Sequence, residues 1–209
     1  MRFQYLILHC QNRSFEVQWI QAPDTGRDKM TNINFKTLIM ISKKMQKAIN
    51  EQINAELWSA YLYLSMAMDA EAKAFKGIAN WFFVQWLEEQ DHARIFQNFM
   101  NARGAKVELK PISEVRQEWN SPLDMFKDTL KHEKEVTELI DNLVRLALEE
   151  NDIATLSRLQ WFVDEQVEEE DSASLQVADF ERAGKDFGAL KELDGQLGKR
   201  RYKAASALE

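Results

Sequence analysis

The sequence predicts an all-α four-helix bundle with a long crossover between the second and third helices and a short fifth helix near the C-terminus. Three observations lead there. Glycine and proline are scarce, 7 and 3 in 209 residues, so little interrupts a helix. Four long stretches carry apolar residues at helical spacing. Of the three connections between them, one is far longer than the others.

The first helix runs from about Ser42, a plausible N-cap, to about Asp69. Its apolar positions Ile49, Ile53, Leu57, Ala60 and Leu64 recur every three or four residues. The second spans about Ala74 to Ala102 and stops at Gly104. The third begins with Ser121 as cap and Pro122 as first residue and runs to about Glu150. The fourth covers about Asp152 to Ala183, before Gly184, and the fifth about Ala189 to Leu197, before Lys199-Arg200-Arg201. The short first and third connections predict antiparallel hairpins. The middle one, Arg103 to Asn120, reaches about 60 Å when extended. A helix of this length is roughly 40 Å long. The connection can therefore traverse the bundle and leave the second and third helices parallel.

Length fits one domain with extensions. Residues 1–39 lack helical periodicity and contain the turn-like Pro23-Asp24-Thr25-Gly26, so a peripheral or disordered extension is expected there. A bundle domain then occupies 40–203 and a tail 204–209. The net charge of −7 argues against a nucleic-acid backbone as partner. A single cysteine, Cys10, forbids an intrachain disulfide and a CxxC metal site, which fits a reducing compartment. No apolar run is long enough for a membrane span. Phe3 to Cys10 lacks a small-residue cleavage site, so the expected location is cytoplasmic.

Every helix carries an acid near its middle. The candidates are Glu56 on the first, Glu89 with His92 on the second, Glu133 on the third, and Gln166 with Glu169 on the fourth. Residues three apart share a helix face, so both E-x-x-H and Q-x-x-E can aim at one ion. Each lies about 11 to 17 residues into its helix, within roughly 10 Å of the bundle's midpoint at ~1.5 Å per residue. A lone mid-helix glutamate usually faces solvent, and E-x-x-H alone is weak. One acid per helix at matched depth is a stronger signal. Carboxylates converging in an apolar core repel one another and are costly to desolvate, and cations resolve that conflict. Oxygen-rich ligation with one imidazole suits iron or manganese.

Residues 42–198 resemble the bacterial non-haem ferritins. The resemblance rests on Asn50-Glu51-Gln52 through Glu56, on Leu87-Glu88-Glu89-Gln90-Asp91-His92, on Lys131-His132-Glu133, and on the most specific block, Leu159 through Glu170. It implies a ferritin-like four-helix bundle that oxidises Fe(II) with O2 or H2O2 at a di-iron centre and stores ferric oxide mineral in a cage. One iron would sit on Glu56, Glu89 and His92. The second would use Glu89 as bridge with Glu133 and Glu169, Gln166 lying beside it. A third, cavity-facing site would use Glu88, Glu165, Glu168 and shared Glu169, with Glu170 turned to solvent. Tyr63, seven residues after Glu56 on the same face, would be the tyrosine beside the di-iron site. The ordinary alternative is a core tyrosine with a satisfied hydroxyl. Trp161 fits core packing, and His132, about 100° from Glu133 around the helix, is not expected to be a ligand. The resemblance further implies a homo-oligomer of 24 subunits, the fifth helix lining its four-fold axis.

Related families fit less well. A bacterioferritin would carry a second E-x-x-H on the fourth helix and a methionine haem ligand after the second helix's glutamate. Here those positions hold Glu169 onward without histidine, and Gln90, so no haem is expected. A rubrerythrin-type peroxidase needs four cysteines for its second iron site. A DNA-protecting mini-ferritin builds its site between subunits. A non-catalytic helical scaffold accounts for the amphipathic helices but leaves the central acids unexplained.

Overall fold

The computed structural model describes residues 4–11, 14–21 and 41–208. The chain divides into two units, Met1–Leu38 and Ile39–Glu209. In the first, β1 (Gln4–Gln11) pairs antiparallel with β2 (Ser14–Gln21), Gln4 opposite Gln21 and Gln11 opposite Ser14. The sequence reading expects no regular element there. The signal it passes over has a period of two rather than 3.6: Phe15, Val17 and Trp19 alternate with Glu16 and Gln18. The turn expected at 23–26 lies outside the described residues.

The second unit is helical. The helices are α1 (Lys43–Ala72), α2 (Lys76–Ala102), α3 (Pro122–Glu149), α4 (Ile153–Ala183) and α5 (Phe187–Leu197). Their ends follow local chemistry. The Ser42 hydroxyl accepts from Met45 N, Ser121 from Asp124 N, and the Asp152 carboxylate from Thr155 N. Each satisfies an amide that a helix start leaves without an internal partner. Gly104 (φ 67°) and Gly184 (φ 57°) follow α2 and α4 in the left-handed region. Asp186 caps α5 through Ala189 N, so this helix starts at Phe187, two residues before the predicted Ala189. The α3 cap yields a direct expectation: Ser121→Ala should lower stability by about 1 kcal/mol, read as a reduced urea midpoint at unchanged m-value.

The long connection runs beside α1 in the same direction. Asn50 and Asn54 hold it by paired amide bonds, Asn50 accepting from Glu108 N (2.7 Å) and Asn54 from Lys110 N (2.7 Å). Further along, Ser65 Oγ donates to Arg116 O (2.8 Å), and Trp119 N donates to Asp69 Oδ2 (3.1 Å). A segment secured from Asn50 to Asp69 covers about 28 Å of helix. Since α1 and α2 are antiparallel and the connection returns along α1, α2 and α3 run parallel.

The core is two apolar clusters. One contains Leu62, Tyr63, Met66, Phe82, Phe126 and Phe180; the other contains Ile49, Ile53, Phe96, Val136, Leu159 and Phe162. On α1 the buried stripe runs through Gln52, Glu56, Ser59 and Tyr63 as well as the isoleucines, while Leu57 and Leu64 are only half-buried. Each of the four bundle helices passes from one cluster to the other through a polar gap at mid-height. The candidate acids occupy that gap. The tail does not project: Ala205, Ala207 and Leu208 pack on the second cluster.

Candidate metal centre

The helical stripe that buries Ile49 and Ile53 also buries Glu56, because 53 and 56 are one turn apart. Its carboxylate is 1% exposed, and those of Glu89, Glu133 and Glu169 are also buried, as is the His92 ring. Ligand atoms of Glu56, Glu89 and His92 all lie within 4.8 Å of one another, and so do those of His92, Glu165 and Glu169. His92 joins the two groups. Its Nδ1 is 3.3 Å from Glu89 Oε2, and its Nε2 is 3.9 Å from Glu165 Oε1. The sequence reading placed His92 in the first trio only; a cationic ring between carboxylates is drawn to both sides.

Two amides overlooked in the sequence orient the acids. Gln52 Nε2 donates to Glu56 Oε1 (2.9 Å) and Gln85 Nε2 to Glu169 Oε2 (3.0 Å). Gln52 lies four residues before Glu56 and Gln85 four before Glu89, a shared spacing that could have flagged both, although Gln85 bonds an acid on another helix. Glu133 belongs to neither trio; the Tyr63 hydroxyl donates to its Oε1, and Gln166 Nε2 donates to its carbonyl (3.2 Å). Tyr63 is fully buried and stacks on Phe82 at 6.1 Å. His132 pairs with Ser59 (2.8 Å) and packs against Trp58, apart from the trios. Trp161 lies edge-on to His92 at 5.5 Å.

The remaining predicted residues lie at the edge. Glu88 and Glu165 are half-buried, and Glu168 is exposed. Among the described residues, Glu88, Glu133 and Glu168 belong to neither trio. Glu170 does not face solvent as expected: it is half-buried and accepts from Thr137 Oγ1 (2.6 Å). It follows Gln166 by one turn, on the side of α4 that meets α3.

The electrostatics suit a cation. Burial, and then the charge of Glu89, push the Glu56 carboxyl up to about 8. Burial with Glu89 raises Glu169 to about 7, and burial with Glu169 and Glu89 holds Glu133 well above the carboxylate range. Burial works against the His92 cation, but Glu89, Glu56 and Glu169 outweigh it and raise the ring to about 10. Burial and then Glu133 keep the Tyr63 phenol protonated far into alkaline solution. Glu56 Oε2 is buried with no hydrogen-bond partner among the described residues. A desolvated oxygen without a donor, beside a second carboxylate and an imidazole, suits a hard or borderline divalent cation.

These shifts fix the sign of a pH effect. Between 4.5 and about 8 folded Glu56 holds a proton that the unfolded chain has released. Between 6.5 and about 10 folded His92 does the same. In both windows the folded state binds more protons, so stability falls as pH rises. Protein stripped of metal should therefore melt lower at pH 8.5 than at pH 6. Saturating Zn(II), which binds the ionised carboxylates, should shrink that difference. A melting temperature that rises with pH in the stripped protein contradicts the assignment.

A helical bundle whose apolar core is interrupted by buried carboxylates and one imidazole defines a class of four-helix metal-binding proteins. The ferritin-like domain family matches residues 46–183. A bacterial non-heme ferritin of Staphylococcus aureus is 38% identical over 163 residues, covering 78% of this chain and 98% of the relative. One from Bacteroides fragilis is 44% identical over 161 residues, covering 77% and 100%. Among solved structures, an open-pore ferritin from Archaeoglobus fulgidus superposes with a TM-score of 0.77 at 47% identity, covering 77% of this chain and 99% of that one. The chain belongs to the ferritin family, a family of iron-storage proteins.

Proposed function

We propose that this chain is a ferroxidase subunit of a cytoplasmic, 24-subunit iron-storage cage, and that Fe(II) is its substrate at the bundle centre. The observation that carries the reading is the buried trio of Glu56, Glu89 and His92, one carboxylate and an E-x-x-H pair converging from two helices. Glu56, Glu89 and His92 would take one Fe(II). Glu89 would bridge to a second held by Glu133 and Glu169, with Gln166 steadying Glu133. Binding requires the raised carboxyls and the His92 imidazolium to lose protons, and the cation's charge supplies the driving force.

Each Fe(II) gives up one electron. Two Fe(II) with O2 and two protons yield two Fe(III) and H2O2; two Fe(II) with H2O2 and two protons yield two Fe(III) and two waters. Anionic oxygen ligands favour Fe(III) over Fe(II), and the apolar clusters above and below strengthen that preference by excluding water. Tyr63, bonded to Glu133, would donate a proton or an electron to the centre. Glu88, Glu165, Glu168 and Glu169 would form a third site through which ferric iron passes toward the cavity, with α5 lining the four-fold axis of the shell. No haem is expected.

The decisive experiment is aerobic addition of Fe(II) followed by size-exclusion chromatography with iron and protein detected together. Iron eluting with a particle many times the 24.4 kDa subunit mass is the expected result. A monomer or dimer without iron overturns the storage reading.

A further inference from the structure

After α5 the chain turns back along α2. Asn80 Nδ2 donates to the carbonyls of Leu197 (3.3 Å) and Arg200 (3.1 Å). The Arg200 guanidinium lies over the Trp81 ring, 4.7 Å from its centroid, and Nη2 donates to Glu88 Oε2 at 2.6 Å. Farther along, Asp91 Oδ2 accepts from Tyr202 Oη (2.7 Å) and from Ala205 N (3.0 Å). Trp81, Glu88 and Asp91 are spaced seven and three apart and form one stripe of α2. Residues 199–208 are thus strapped across that stripe at two charged anchor points. Neither the basic run Lys199-Arg200-Arg201 nor residues 204–209 has a part in the proposed mechanism.

We propose that the strap competes with metal at the third site: Arg200 is the counter-ion of Glu88 and must leave before Glu88, Glu165 and Glu169 can together hold a cation. The inference rests on the third-site reading above. A guanidinium donating at 2.6 Å engages the anionic oxygen that a metal would need, and one carboxylate oxygen cannot serve both at full strength. Arg200 reaches beyond Glu88, because its positive charge also acts on Glu165 and Glu169. The pair is partly shielded, with side chains 25% and 21% exposed, so the contact is not dissipated as on an open surface. The anchors at Asp91 and on the second apolar cluster keep the displaced arginine close, so that it returns when the metal moves on. The strap's charged anchors are Glu88 and Asp91 rather than Glu56 or His92. The strap would therefore set the order of filling, centre first and edge last.

Zn(II), which undergoes no redox change here, is the probe. Calorimetric titration of the assembled protein should resolve two tight equivalents per subunit and a weaker third. In Arg200→Gln the third should bind about five- to tenfold more tightly, while the first is unchanged and the second, which shares Glu169, shifts by less than the third. Arg200→Lys, which keeps the charge, should stay closer to wild type, and Lys203→Gln, which removes an exposed strap charge away from Glu88, should match it. Hydrogen exchange in residues 199–203 of the wild type should rise between two and three equivalents. A third equivalent that binds no tighter in Arg200→Gln, or none at all, overturns the proposal. So does third-site filling with strap exchange unchanged. Loss of the first two equivalents in the wild type would instead overturn the central-site reading, and this inference with it.

Discussion

Glu89→Ala is expected to slow the initial oxidation of Fe(II) by at least about a hundredfold while leaving the cage assembled. Glu89 is the point through which the centre is wired. It contacts His92, shares a ligand trio with Glu56, and its charge raises the carboxyls of Glu56, Glu133 and Glu169. Removing it takes a ligand from both central metal positions, whereas removing Glu56, Glu133 or Glu169 takes a ligand from only one of those two. Glu89→Gln is the sharper variant, because it keeps the side-chain volume and loses only the charge. Stopped-flow absorbance of the ferric product gives the rate, and size-exclusion chromatography reports assembly. A Glu89→Gln cage that oxidises iron at the wild-type rate would sink the assignment of the centre. Glu138, an exposed acid on α3, is the control: Glu138→Gln should leave the rate within about twofold, as surface changes away from a site do.

The burial of the mid-helix acids is legible in the sequence because helix geometry converts position into place. Glu56, Glu89, Glu133 and Glu169 sit at similar depths on their helices, and the fold returns them to one height between two apolar clusters. The length of the middle connection likewise implied its route, later seen in its bonds to Asn50, Asn54, Ser65 and Asp69. What periodicity could not convey were contacts between distant segments. Glu133 turning to Tyr63, Gln85 reaching Glu169 across the bundle, and Arg200 returning to Glu88 each depend on where two helices or a strap meet. The hairpin of β1 and β2 is a different kind of omission. Its alternation is local, but a reading tuned to a period of 3.6 passes over a period of two.

Gly77→Ala should unseat α5. A methyl group at Gly77 would lie 1.6 Å from the carbonyl oxygen of Asp194 and 2.5 Å from its carbonyl carbon, and real contacts of this kind do not fall below 3.0 Å. The obstacle is backbone, so no side chain can swing aside; the whole of α5 has to move. That movement has a second consequence. Phe75, at the cap position before α2, supplies no side-chain cap, and Asp194 Oδ1 accepts from Ile78 N at 2.9 Å in its place. The fifth helix thus caps the second from outside, and glycine at 77 is what lets it come close enough. Overpacking against backbone costs about 1–3 kcal/mol, and loss of a cap about 1 more. The expected result is a clear fall in the urea midpoint and hydrogen exchange in residues 187–197 faster by at least about tenfold, since ~1.4 kcal/mol of local opening free energy is a factor of ten. Gly195→Ala, on the same helix, provides the opposite sign: within the chain an added methyl there meets nothing within 4 Å. A better helix former should stabilise α5 by about 0.5–1 kcal/mol. If α5 lines the four-fold axis, Gly77→Ala should also shift the particle toward smaller assemblies on dilution, with iron oxidation at the intact centre preserved. A Gly77→Ala protein with wild-type exchange in α5 would show that the close approach at Asp194 does not hold this helix in place.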